Sequence, residues 1–188
     1  MRIKTSSTEV KHLLKAWVAI SLAFTILFRG NFAGFQSILV IFGVSAITVG
    51  TAFLLHELAH KIVAQRYGLH AEFRSDDKML LIAIGTAFLG IILAAPGAVY
   101  ISGYAGINRN GKISMAGPLT NIILAAFFLV LSLIIGNNMV TNYGHLINAW
   151  IGLFNMIPFA FFDGAKILRW NKKVYVAMVA AALLLMVL

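Results

Sequence analysis

The chain has 188 residues, of which 61% are hydrophobic and 11% charged, with no cysteine and a formal net charge of +9. A soluble domain of this size is nearer half apolar and a quarter charged. The composition therefore points to an integral membrane protein made mostly of spanning helices, with little chain left for a soluble domain. The absence of cysteine excludes disulfides, cysteine zinc sites and a thiol nucleophile. The excess of Lys and Arg reads as cytoplasmic loops beside anionic lipid, not as nucleic-acid binding.

In chain order, the first fifteen residues are polar and basic, with Arg2, Lys4, Lys11 and Lys15. The apolar run 13–28 has no small-residue cleavage site after it, and Arg29-Gly30-Asn31 reads as a turn, so a retained first span is expected. The run 35–66 is the second span; as one helix it would be roughly 47 Å long, against a hydrocarbon core of about 30 Å. It either bends at Gly43 and Gly50 or protrudes at one end. Residues 67–78 are polar and read as a loop carrying His70. The run 79–102 is apolar but interrupted by Gly85, Gly90 and Pro96-Gly97, and Ala98-Val99-Tyr100-Ile101 reads as a short strand.

Residues 103–113 read as a polar loop, and 114–135 as a strong span with Pro118 in its first turn, where a missing N–H costs nothing. A short uncharged connection, 136–144, leads to the apolar stretch 145–169, which carries Asp163-Gly164 and then basic residues. The last run, 174–188, is short for a full crossing. The fold class expected is an all-α polytopic membrane protein, a single domain over 1–188. It has five to six transmembrane helices and a short membrane-associated strand or re-entrant segment.

Charge placement bears on that last choice. If 79–102 crosses the bilayer, the basic residues of the loops divide evenly between the two sides. If it dips in and returns, all of them but Arg29 fall on one side. The positive-inside rule favours the second arrangement. It places the N-terminus and the basic loops in the cytoplasm, in a multi-pass protein of the cell membrane.

The chemistry is concentrated in His56-Glu57-Leu58-Ala59-His60, an H-E-x-x-H pattern late in the second apolar run. On a helix, residues four apart share a face at about 6 Å, so both imidazoles can reach one metal ion while Glu57 projects beside them. Neutral imidazoles and an open fourth position suit zinc. The chain has only 5 His and 6 acidic residues, and three of these fall within this one apolar segment. A charged side chain at mid-bilayer costs about 2.5–3.5 kcal/mol, so such residues are functional candidates. The plainer alternative is two structural histidines with Glu57 paired to Lys61. Glu57 lies about 13 Å along the helix from its polar end at Arg66, which puts the site within the membrane near the cytoplasmic face.

A catalytic zinc usually takes three protein ligands. His12, His70 and His145 lie outside the expected helix interiors, which leaves Asp163 as the third candidate; its alternative is an interfacial pair with Lys166 or Arg169. Pro158 removes the N–H that would bond the Phe154 carbonyl and is expected to kink its helix. Asn155 and Asn121 are candidate substrate or oxyanion contacts, against helix–helix hydrogen bonding for Asn155 and a structural role for Asn121.

Together these residues resemble the intramembrane metalloproteases of the site-two protease family. The resemblance covers roughly 54–169. Its motifs are the H-E-x-x-H segment, Ala116-Gly117-Pro118-Leu119-Thr120-Asn121, Asn155-x-x-Pro158 followed by Asp163-Gly164, and the strand-like Pro96-Gly97-Ala98-Val99-Tyr100. It implies one Zn2+ held by His56, His60 and Asp163, with Glu57 as general base. The implied substrate is a transmembrane segment of another protein, unwound and held by β-addition to a strand such as 98–101. The first and last spans match nothing in the family. The rival functions are an inactive scaffold of the same fold and a zinc- or proton-translocating protein.

Overall fold

The computed structural model describes residues 3–29, 37–92, 96–159 and 161–188. Helix α1 (Ser7–Arg29) opens the chain, and α2 (Ile38–Ser45), a π-helical turn (Ala46–Gly50) and α3 (Thr51–Arg66) follow as one continuous rod. Strand β1 (His70–Ser75), helix α4 (Asp77–Ala87) and strand β2 (Gly97–Ser102) form a compact excursion. Helices α5 (Gly106–Ile135), α6 (Met139–Asn155), α7 (Asp163–Trp170) and α8 (Lys172–Val187) complete the fold.

Helix α1 starts earlier than the apolar pattern alone requires because Ser6 caps it, its hydroxyl accepting the Glu9 N–H at 3.0 Å. The rod after it is widened at Ala46–Gly50. There Trp17 of α1 donates its indole N–H to the Ala46 carbonyl at 3.1 Å, a backbone acceptor available where a wider turn loosens the ladder. Gly50 lies so close to Trp17 and Ser21 that a Cβ would stand 2.6 Å from both. A Cβ on Gly43 would meet nothing within 4 Å among the described residues outside its own helix, so of the two expected bend points Gly50 is the one with a packing reason there.

Among the described residues, three helical stretches of 18 residues or more are apolar enough to cross a membrane: Ser7–Arg29, Ile38–Arg66 and Gly106–Ile135. That is fewer than the five to six spans expected, and each shorter helix has a cause. Helix α4 has 11 residues, about 16 Å, roughly half the hydrocarbon thickness. Pro158 does not kink a continuous helix but ends one: α6 is capped at Met156, and α7 begins afresh at Asp163. A proline two residues past the cap cannot continue the helical hydrogen bonding. Helices α6 and α8 have 17 and 16 residues, about 25 and 24 Å, at the lower limit of a crossing.

The stretch 67–78 is not all loop. Ala71 and Phe73 are buried while His70 is exposed and Glu72 half-buried, a period-two pattern too short to stand out in the sequence. β1 pairs antiparallel with β2 from His70↔Ser102 to Ser75↔Gly97. The ends of the α4 excursion are thus register partners, and the chain returns to the point it left.

The ribbon's β1 edge is tied to the helices. Glu9 accepts the Phe73 N–H at 2.9 Å, His12 takes the Ser75 N–H at 3.2 Å, and Gln65 donates to the Ala71 carbonyl at 2.9 Å. Glu9 also receives Lys61 Nζ at 2.6 Å, and the two side chains are 0% and 1% exposed. Outside this buried pair, Ser6 and then Arg74 hold the Glu72 carboxyl below its usual range, and Lys15 does the same for Asp77. Both contributions are present above the ordinary carboxylate range and fade as the pH falls through the lowered values.

Helix α5 also starts earlier than expected, at Gly106, so 106–113 is helix and Pro118 lies inside α5 instead of in its first turn. There it deprives the Ser114 carbonyl of its helical partner. One core, built on Ala16, Ile20, Ile41, Val49, Phe73 and Leu80, joins α1–α4 and the ribbon. A second, built on Ile122, Ala125, Ala149, Met156, Ile167 and Met178, joins α5–α8. The facing sides of α3 and α5 form the seam between them.

Breaking a buried ion pair by removing one partner strands a charge, at about 3–5 kcal/mol. Lys61→Met should therefore lower thermal stability in detergent by about 3 kcal/mol. Adding Glu9→Gln, which keeps an acceptor for Phe73, should recover at least half of that loss. A double variant no more stable than Lys61→Met would show that the charge is not the cause.

Candidate metal centre

His56 and His60 lie one turn apart on α3, with ring centroids 4.7 Å apart and planes at 82°. Their Nε2 atoms are 3.0 Å apart. Asp163, the first residue of α7, brings Oδ2 to 3.0 Å from His60 Nε2 and 3.4 Å from His56 Nε2. All three residues are buried, at 4%, 8% and 8% exposure. Among the described residues they are the group of ligand-type side chains close enough to hold one ion.

The hydrogen bonds behind the rings decide what the ring nitrogens can do. His60 Nδ1 lies 2.8 Å from the Ile113 carbonyl, an acceptor only, so Nδ1 carries the hydrogen. The amide of Asn121 donates to the Ala52 carbonyl at 3.2 Å and to Asn148 Oδ1 at 3.1 Å. Its oxygen therefore faces His56 Nδ1, at 2.6 Å, and that nitrogen also carries the hydrogen. Both Nε2 lone pairs then point at the Asp163 carboxylate. Three acceptors converge, and a cation is what such a set can share. Zinc bonds of about 2.0–2.1 Å in tetrahedral geometry separate ligand atoms by about 3.3 Å, so the observed 3.0–3.4 Å fits zinc.

Two glycines make the approach possible. A Cβ on Gly117 of α5 would overlap Nε2 of both His60 and His56. A Cβ on Gly164 would overlap the Met156 carbonyl, which also accepts the Tyr175 hydroxyl at 2.9 Å. The chain can turn into α7 directly behind Asp163 because that residue is glycine. The Ile113 carbonyl that holds His60 immediately precedes the turn opened by Pro118.

Glu57, adjacent to His56, does not join the ligand group; its Oε2 accepts the Val99 N–H at 3.0 Å. It stands between the metal-ligating face of α3 and the ribbon.

A protein named "Putative zinc metalloprotease MJ0611", from Methanocaldococcus jannaschii, is 42% identical over 139 residues, which are 71% of this chain and 73% of that protein. The chain belongs to the zinc metalloproteases. "Zinc metalloprotease MJ0392" from the same organism is 30% identical over 135 residues, 69% of this chain and 34% of the relative. "Putative zinc metalloprotease Rip3" of Mycobacterium tuberculosis is 29% identical over 131 residues, 66% of this chain and 30% of the relative. The chain thus spans about a third of the length of these two. No family model and no solved structure matches the chain.

The structure brings His56, His60 and Asp163 of this metalloprotease together with Glu57 alongside, and places the other candidates elsewhere. Asn121 is fully buried behind His56, with both ends of its amide taken. Asn155 turns back on its own helix, donating to the Ile151 carbonyl at 2.9 Å. His145, expected at the edge of an apolar run and outside its helix interior, is buried in α6 with Nε2 lacking a partner among the described residues. His12 bonds Ser75 at 2.8 Å, and His70 is exposed on β1.

Sequence reasoning passed over Asn148. An amide in the apolar stretch 145–162 is itself a signal. Its Nδ2 donates to the Gly144 carbonyl at 2.8 Å, so its oxygen is left to orient Asn121. Partners behind metal-ligating histidines are worth about 10–100-fold in metal affinity. Asn148→Ala should weaken zinc binding roughly tenfold, and Gly117→Ala roughly 100-fold or more, because its methyl enters the ligand space. Chelator competition on purified protein measures both. Wild-type affinity in Gly117→Ala would show that the ion sits elsewhere.

Proposed function

We propose that this metalloprotease is an intramembrane zinc endopeptidase that cuts peptide bonds in or near transmembrane segments of other membrane proteins. The observation that carries the proposal is the convergence of Asp163, at 3.0–3.4 Å, on His56 and His60, which with Glu57 lie on a rod apolar enough to cross a bilayer. Zinc, when bound, supplies Lewis-acid polarisation of the scissile carbonyl and of the attacking water.

The chain's own residues do the rest. His56, His60 and Asp163 hold the ion. Glu57 accepts the proton of the attacking water and delivers it to the leaving amine. Asn121 and the Ile113 carbonyl keep both imidazoles in the ligating tautomer. Peptide bonds in a transmembrane helix are masked by their own hydrogen bonds, so the substrate has to unwind. The outer edge of β2 suits an unwound stretch, since strand addition satisfies its backbone groups where little water can. The N-terminus, the basic loops and the site are placed on the cytoplasmic side of the cell membrane, as the distribution of Lys and Arg favours.

Two measurements test this. Glu57→Gln should keep stoichiometric zinc and lose about 10²–10⁴-fold in cleavage of a single-span reporter; full activity would remove Glu57 from the mechanism. Because the chain has no cysteine, single-cysteine labelling reads topology directly. Lys11→Cys and Lys173→Cys should both react from the cytoplasmic side in sealed vesicles, and labelling from opposite sides would refute the orientation.

A further inference from the structure

The pairing pattern of the ribbon decides which backbone groups face outward. Opposed residues in an antiparallel pair alternate between exchanging two hydrogen bonds and exchanging none. The Asp76 N–H bonds the Pro96 carbonyl at 3.2 Å, which extends the β1–β2 register by one hydrogen-bonded position, single because proline has no N–H to return. Counting back along that register, Arg74/Ala98 and Glu72/Tyr100 exchange bonds, and Phe73/Val99 does not. The N–H groups of Phe73 and Val99 therefore point away from the ribbon, in opposite directions. Each meets a glutamate: Glu9 at 2.9 Å and Glu57 at 3.0 Å.

The two edges differ. The β1 edge is held by Glu9, His12 and Gln65. On the β2 edge, among the described residues, no third strand pairs, and Tyr100 and Ile101 are exposed. Glu57 occupies the middle of that edge. A residue that exchanges no bonds with the inner strand is one that exchanges them with a strand added outside. An incoming segment would therefore need the Val99 N–H, which Glu57 already holds.

We infer that the Val99 N–H is a shared group: it parks the Glu57 carboxylate in the free enzyme and passes to the substrate backbone when an extended segment adds to β2, releasing Glu57 toward the attacking water. The inference rests on the reading that substrate adds to β2. One N–H cannot serve a carboxylate and a substrate carbonyl at full strength, so substrate and base compete. The ribbon cannot yield instead. Lys61, one turn from Glu57 on α3, fixes its far edge through Glu9 and Phe73, so the carboxylate is the part free to move. Val99 is then a positioning and substrate-binding residue through its backbone, and Glu57 reaches its working position only when the edge is filled.

The test is a binding measurement on zinc-loaded protein in detergent micelles. The probe is a fluorescent apolar octapeptide N-methylated at alternate residues, which leaves one hydrogen-bonding edge and resists cleavage. Removing a competing charge-assisted hydrogen bond should tighten binding, so Glu57→Ala should bind the probe roughly tenfold more tightly than wild type, with Glu57→Gln in between. Val99→Pro, which deletes the N–H at an edge position that tolerates proline, should bind roughly tenfold more weakly. On that background Glu57→Ala should have no further effect. Zinc content and thermal midpoint certify each variant, and the Glu, Gln, Ala order stands alone if Val99→Pro does not fold. Equal affinities across the Glu57 series, with binding intact, would overturn the competition while leaving β2 as the substrate edge. Tightening that persists on the Val99→Pro background would also overturn it, since the N–H would not be what is shared. Absence of saturable binding to wild type, or wild-type binding by Val99→Pro, would instead overturn the β2 reading on which the inference rests.

Discussion

Three acceptor atoms facing one another inside an apolar bundle are the constraint to which the rest of this structure answers. His56 Nε2, His60 Nε2 and Asp163 Oδ2 lie 3.0–3.4 Å apart in buried surroundings. With a carbonyl and an oriented amide fixing the hydrogens on the far nitrogens, nothing within the trio can donate. Such an arrangement is repulsive and poorly solvated unless a cation occupies its centre. The zinc metalloprotease relatives agree with what the donor set demands.

The local features of the chain follow from bringing α3, α5 and α7 to that point. Gly117 lets α5 pass against both imidazoles, and Pro118 opens the same helix next to the carbonyl that holds His60. Pro158 stops α6, and Gly164 lets α7 start directly behind its carboxylate. On the other flank, the rod α2–α3 carries Glu57 and Lys61 one turn apart. Through them it grips both edges of the two-stranded ribbon, directly at Val99 and by way of Glu9 at Phe73. The general base, the metal ligands and the edge strand are therefore referenced to a single helix.

Much of the centre was legible in the sequence because polar residues are costly in apolar helices, so the few that occur carry information. The i, i+4 spacing of His56 and His60 is a local property of α3, and Asp163 is the only acidic residue after Asp77, at the end of an apolar run. The ribbon was half legible. The Ala98–Ile101 strand was bracketed by Pro96-Gly97 and Gly103, whereas β1 hid among polar residues because only Ala71 and Phe73 mark its buried face. Helix lengths were less legible, because hydropathy does not register where a helix stops. Pro158 divides one apolar run, and the turn after α4 folds another back on itself. The roles of Asn148, Gly117 and Glu9 depend on pairs of residues far apart in the chain, and no single-sequence pattern encodes those.

The most direct test of the account is X-ray absorption at the zinc edge on purified, detergent-solubilised protein. The account predicts one zinc per chain with two imidazole nitrogens and a carboxylate oxygen at about 2.0–2.1 Å, and loss of the oxygen contribution in Asp163→Ala. Substoichiometric zinc, or a spectrum unchanged by Asp163→Ala, would contradict it.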